Sequence, residues 1–154
     1  MYSRPIVPAE FIVPQRVDGP GFHLRQLKML DAEKDFEAVM ASAAEIAKTW
    51  RPTSQWPAGL TLEVNRMELG WHQVEFDLRH SFAYTVMNGD ESQCLGCCYI
   101  YPSSNPSYEV TAHYWARTSD LDVSLGKTFR SFLAEQWPFK HIAFPGREQA
   151  WSEW

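Results

Sequence analysis

FAYTVM (82–87), CLGCCYIY (94–101) and YEVTAHYWAR (108–117) stand in a row, separated only by turn-forming residues. Asn88-Gly89-Asp90 follows the first run, and Pro102-Ser103-Ser104-Asn105-Pro106 follows the second. Aromatic and β-branched residues bounded by Gly, Pro, Asn and Asp predict strands. Val123–Gln136 then reads as a helix, with Leu125, Phe129, Phe132 and Leu133 apolar, and Trp137-Pro138 ends it. Lys140–Phe144 is a last apolar strand, closed by Pro145-Gly146-Arg147.

Upstream, Phe22–Leu27 is predicted as the first strand. Asp31 can cap a helix over about Ala32–Thr49, with Glu33 and Asp35 suited to the positive end of its dipole. Phe36, Val39, Met40, Ala43, Ile46, Ala47 and Trp50 recur at helical spacing. A proline-bearing loop, 51–59, leads to Thr61, a plausible N-cap for a second helix ending near Arg79. Met67, Trp71, Val74 and Leu78 form its apolar stripe, and Glu68, His72, Glu75 and Arg79 a second face. Gly70 between them costs about 1 kcal/mol relative to Ala, which predicts a close approach there.

At 154 residues the chain is expected to form one domain, residues 21–154, behind an extended arm, residues 1–20, that carries Pro5, Pro8, Pro14 and Pro20. A net charge of −5 with no basic block argues against a nucleic-acid partner. No apolar run reaches membrane-span length and no signal pattern opens the chain, so a cytoplasmic location is expected. Cys94-x-x-Cys97 has zinc-knuckle spacing but no second cysteine pair, so metal binding is not expected. On a regular strand Cys94 and Cys98 share one face and Cys97 takes the other, as buried core thiols.

The order strand, helix, helix, strand, strand, strand, helix, strand resembles the GNAT superfamily of acetyltransferases over about 22–146. Glu109-Val110 and Tyr114-Trp115-Ala116-Arg117 look like the fourth strand of the branch that acetylates protein N-termini and small amines. Leu95-Gly96 looks like the strand before it. The resemblance implies an α+β fold, a mixed and mostly antiparallel sheet flanked by about three helices. It also implies acetyl transfer from acetyl-CoA to a small-molecule or peptide amine, by a monomer or homodimer. The family's Arg/Gln-x-x-Gly-x-Gly/Ala loop, whose amides and following helix hold the diphosphate, is replaced by TSDLDVSLG (118–126). Only Gly126 remains, and Asp120 and Asp122 stand where phosphates would lie. Family members also continue past the fifth strand with a helix and two strands, whereas ten residues follow Phe144 here.

From the resemblance, Glu109 or His113 on the fourth strand would be the catalytic base. Trp115, Arg117, Ser124, Leu125 and Gly126 would hold the cofactor, the last three by opening the third helix with free amides. His72, Glu75 and Trp56 would bind the acceptor, the imidazole oriented by the carboxylate one turn away. By alternation Glu109, Thr111 and His113 share a face, with Val110, Ala112 and Tyr114 on the other; a bulge at Trp115 could reverse them. Of the seven tryptophans, Trp50, Trp71 and Trp115 suit a core, and Trp56, Trp151 and Trp154 a pocket or interface. A degenerate binding module on the same fold, without catalysis, is the alternative function. An open sheet edge invites pairing; the run Phe11-Ile12-Val13 between Pro8 and Pro14, which suits an edge strand, or the tail with Trp151 and Trp154 is expected to cover it, in the same subunit or across a two-fold dimer.

Overall fold

The computed structural model describes residues 1–154. Six strands form one sheet in sequence order: β1 Arg16–Gly19, β2 Phe22–Gln26, β3 Phe82–Met87, β4 Cys94–Pro102, β5 Val110–Ala116 and β6 Ile142–Ala143. Neighbours are antiparallel except β5 and β6, which run parallel. Four α-helices accompany them: α1 Ala32–Ala41, α2 Ala43–Ala47, α3 Leu62–Asp77 and α4 Ser119–Gln136. α4 is the crossover that a parallel β5–β6 pair requires. No helix is long and apolar enough to cross a membrane.

Both faces of the sheet are covered, so the central strands are apolar on both sides. α4 lays Leu125, Phe129, Phe132 and Leu133 on Tyr84, Val86, Cys98, Ile100, Ala112 and Tyr114. The opposite face, under α1 to α3, carries Leu27, Ala83, Met87, Cys97, Tyr99 and Trp115. β5 has no bulge against β4. Thr111, His113 and Trp115 therefore share the α1–α3 face. The irregularity lies one strand earlier. Val86 pairs with Gly96 and Met87 with Cys94, leaving Leu95 as the extra residue. That bulge moves Cys94 to the face of Cys97, and Cys98 alone faces α4. All three thiols are buried and free.

The first strand precedes the expected one. Pro20-Gly21, with Gly21 at φ 77°, is a tight turn that folds Arg16–Gly19 back on β2. The extended arm is thus 1–15. It packs on the α4 face rather than pairing along an edge: Val7 is buried, Ile6, Phe11 and Val13 lie against the core, and Ile12 points outward. Tyr84 donates its hydroxyl to the Pro14 carbonyl at 2.6 Å. Arg79 holds the carbonyls of Pro8 and Phe11. The single helix expected over 32–49 breaks at Ser42, whose φ of −107° and ψ of 10° leave the helical region and redirect the chain so that Ile46 is buried.

Asp35 on α1 is buried, accepts from Asn65 Nδ2 at 2.9 Å, and leaves its other oxygen without a partner. Burial pushes its carboxyl up to about 6, opposed by the Asn65 hydrogen bond. The native state therefore holds a proton that the unfolded chain releases at its ordinary 3.8, so stability falls as pH rises between those values. The difference corresponds to roughly 3 kcal/mol. Asp35→Asn keeps an acceptor for Asn65 and should flatten this part of the stability–pH profile in urea unfolding. An unchanged slope would place the titration elsewhere.

Candidate functional site

Thr61 caps α3 by accepting from the Val64 amide at 3.2 Å. The rotation of this helix is opposite to the one its apolar stripe predicts. Asn65, Leu69, Glu75 and Phe76 turn inward, while Met67, Trp71, Val74 and Leu78 are exposed. Leu69 and Phe76 anchor the helix in the two halves of the core. Asn65 is held by the Ala32 carbonyl and Asp35. A satisfied amide costs little to bury, so these contacts prevail over the stripe. The polar face, with Glu68, His72 and Glu75, is thereby aimed at Tyr99 and Tyr101 on β4.

The result is a hollow of about 350 Å³ bordered by Tyr2, Glu68, Trp71, His72, Glu75 and Tyr101. A second, of about 400 Å³, lies along β5 and is bordered by Trp50, Arg51, Tyr101, Thr111, His113 and Trp151. Tyr2 and Tyr101 line both, so the two meet at the tyrosines. Glu75 is 5% exposed. Its Oε1 accepts from the backbone N–H of Tyr2 at 3.1 Å, and its Oε2 is buried without a partner. Burial raises the Glu68 carboxyl. His72 lies 5.5 Å from the Tyr99 ring and 6.5 Å from that of Tyr101, and burial lowers its imidazole to about 4. His113 is lowered to about 4 by burial and then by the cations Arg147 and Arg51. Its Nε2 lies 3.0 Å from Thr111 Oγ1, and its ring stacks on Trp151 at 5.7 Å. Both imidazoles are neutral at neutral pH.

The structure brings His72 and Glu75 into one hollow without a hydrogen bond between them, and puts His113 in the adjoining one. Glu109 borders neither. Its carboxylate accepts from the amides of Lys140 and His141 at 2.7 and 2.8 Å, which fixes the start of β6 beside β5. Trp56 packs on Trp50 at 5.2 Å, outside both hollows. Trp115 is in the core, with its indole N–H on the Tyr99 hydroxyl at 3.1 Å. Arg117 ties the end of β5 to Glu37 and to the Cys94 carbonyl. Ser124, Leu125 and Gly126 do not open a helix. α4 starts at Ser119, capped by Thr118, because the acidic stretch read as a loop is its first turn. Leu125 is core, and Gly126 is where the Tyr114 hydroxyl meets the helix, leaving no room for a Cβ.

β5 and β6 pair only at Val110–Ile142 and Thr111–Ala143, and beyond them the strands part. Arg147 fills that gap. It donates to the Tyr114 carbonyl at 2.8 Å, lies over the Tyr114 ring at 3.5 Å and pairs with both oxygens of Asp122 at 2.7 and 2.9 Å. At the start of α4 the Leu121 amide is capped by Thr118, and the Ser119 hydroxyl donates to Glu45. With Glu45, Asp120 and Asp122 around it and no glycine cradle, this helix end does not fit a diphosphate. Sequence reasoning missed Tyr2, Tyr101 and Arg147. Tyr101 was open to inference, since it stands opposite Thr111 and next to His113 once β4 and β5 are paired. Arg147 reaches the site only through tertiary contacts.

No family model matches the sequence, and no curated protein matches it. Solved structures do. Ribosomal-protein-S5-alanine acetyltransferase from Vibrio fischeri superposes with a TM-score of 0.56 at 15% identity, over 80% of this chain and 69% of that one. RimL, a ribosomal L7/L12 α-N-protein acetyltransferase solved with coenzyme A, gives 0.60 at 11%, over 78% and 68%. FdhC, a nucleotide-linked sugar GNAT, gives 0.56 at 10%, over 84% and 71%. The chain thus spans about two thirds of these proteins' length. Likeness at this level of identity defines the architecture: the chain has the GNAT acetyltransferase fold.

Proposed function

We propose that the chain is an amine-directed acyltransferase, with the acceptor ammonium held between α3 and β4. The observation that carries this reading is Glu75 on the wall of the hollow, with one carboxylate oxygen held by the Tyr2 amide and the other, Oε2, buried without a partner, so that a turn of the carboxylate presents it to an occupant. Such an oxygen forfeits about 1–3 kcal/mol that a donor would restore. An ammonium is the fitting donor, because Glu68 adds a second carboxylate and Tyr101 and Trp71 present aromatic faces. The Tyr2 amide already donates to Glu75, so a peptide main chain is an acceptable occupant as well as a small amine. Amine attack needs the ammonium deprotonated; His72, in the same hollow, is the candidate base, and to take the proton its imidazole has to rise from about 4, which the nearby Glu68 and Glu75 carboxylates favour. His113 is the second candidate base, in the adjoining hollow. Glu109, tied to two amides, would serve catalysis only by holding β5 against β6.

A second reading, an amine-binding module without transfer, is favoured by one observation: Arg147 occupies the gap between the strands. Calorimetric titration with a panel of amines and N-terminal peptides, alongside acetyl transfer from acetyl-CoA, separates the two. Glu75→Gln keeps the Tyr2 contact and should weaken amine binding about tenfold or more. His72→Ala should lower turnover with little change in melting temperature. Binding without turnover would select the second reading. If no amine binds, or if Glu75→Gln binds amines unchanged, the cleft is not an ammonium site.

A further inference from the structure

The outer face of α3 carries Val64, Met67, Trp71, Val74 and Leu78, each between 42% and 65% exposed. Their steps of three, four, three and four residues are those of a helix–helix seam. The chain does not cover this seam: the arm from Ile6 to Val13 lies on the α4 face, its first two residues reach only the Trp71 edge at the hollow, and the tail, with Trp151, lies on His113. We infer that the stripe is the contact between two copies of this chain, with their α3 helices antiparallel about a two-fold axis at Trp71.

Reversing the helix about Trp71 sets Val64 against Leu78 and brings Met67 within one residue of Val74. Gly70 leaves the centre open, since only Met29 Sδ, at 3.6 Å, would touch a Cβ there. That notch gives room for the indole of the second copy. Met29 borders the same groove, and Leu30, next to it in the chain, is 93% exposed. Together these side chains present on the order of 800 Å², the area one partner buries in a standard interface and more than soluble surfaces ordinarily leave open. The rim is polar, and the antiparallel register puts Arg66 of each copy within one residue of Asp77 of the other, a complementary pair at both ends. Trp71 also borders the Glu75 hollow, so a second copy would form its outer wall. This inference stands whether or not the hollow takes an amine.

Sedimentation velocity of the full chain, from low micromolar to submillimolar concentration, should give twice the chain mass of 17.8 kDa. Val74→Glu buries a charge at the seam without touching the hollow. It should raise the dimer dissociation constant on the order of 100-fold, with an unchanged melting profile at low concentration. Under oxidation, a mixture of Met67→Cys and Val74→Cys chains should form the intermolecular disulfide, and Met67→Cys alone should not. A single-chain mass at all concentrations, a dimer indifferent to Val74→Glu, or equal crosslinking by Met67→Cys alone would each overturn the proposal.

Discussion

Deleting residues 1–15 should lower the unfolding free energy by about 5 kcal/mol, a large share of the roughly 5–15 kcal/mol that holds a domain of this size together. Val7 is buried, and Ile6, Phe11 and Val13 cover the same core cluster as Phe82, Tyr84 and Trp137. Phe11 meets the Trp137 ring at 5.4 Å. Each of these side chains contributes about 1–3 kcal/mol according to how fully it is covered. Removal also uncovers Tyr84, which is fully buried and loses the Pro14 carbonyl as acceptor. Urea unfolding of the intact and shortened chains measures the difference. Tyr84→Phe is the companion variant. It deletes one hydroxyl and leaves the Pro14 carbonyl unpaired, for a loss of only about 1 kcal/mol. A shortened chain as stable as the intact one would show that the arm's contacts contribute nothing net.

The strands were legible wherever composition and turn chemistry agreed. FAYTVM, CLGCCYIY and the core of YEVTAHYWAR are β3, β4 and β5 within a residue or two, because β-branched and aromatic runs have few other stable settings. Local signals misled where a tertiary contact outweighed them. The apolar stripe of α3 pointed inward by pattern, yet Leu69, Phe76 and the Asn65–Asp35 pair fix the opposite rotation. Alternation put Cys94 with Cys98, and one extra residue at Leu95 moved it across. Asp120 and Asp122 read as loop residues, but acids are favoured in a first helical turn, and Thr118 capped the helix before them. Of the candidate site, His72, Glu75 and His113 were legible as polar residues at strand or helix spacing. Their neighbours Tyr2, Tyr101 and Arg147 come from the two ends of the chain and a strand end, and only the folded chain brings them together.

Replacing Asp120 and Asp122 together by asparagine should tighten coenzyme A binding by about 10- to 100-fold. An unpaired carboxylate beside a bound diphosphate opposes it by on the order of 2 kcal/mol at an effective dielectric near 20, less in salt. Asp122 is ion-paired with the Arg147 guanidinium that fills the gap between β5 and β6, so its own charge is already offset. Replacing it leaves that cation free beside the N-terminus of α4, where amide dipoles already favour an anion. Asp120→Asn alone leaves that ion pair intact and should give a smaller gain. Calorimetry with coenzyme A and with pantetheine separates the causes. The gain should be confined to the ligand that carries the diphosphate, and should shrink as salt is added. Asp122→Asn also breaks a half-buried ion pair, so melting temperatures are needed to confirm that the variants remain folded. Unchanged or weaker binding by the folded double variant would mean that coenzyme A does not meet the start of α4. Micromolar binding by the unaltered protein would show that these two acids do not guard the site.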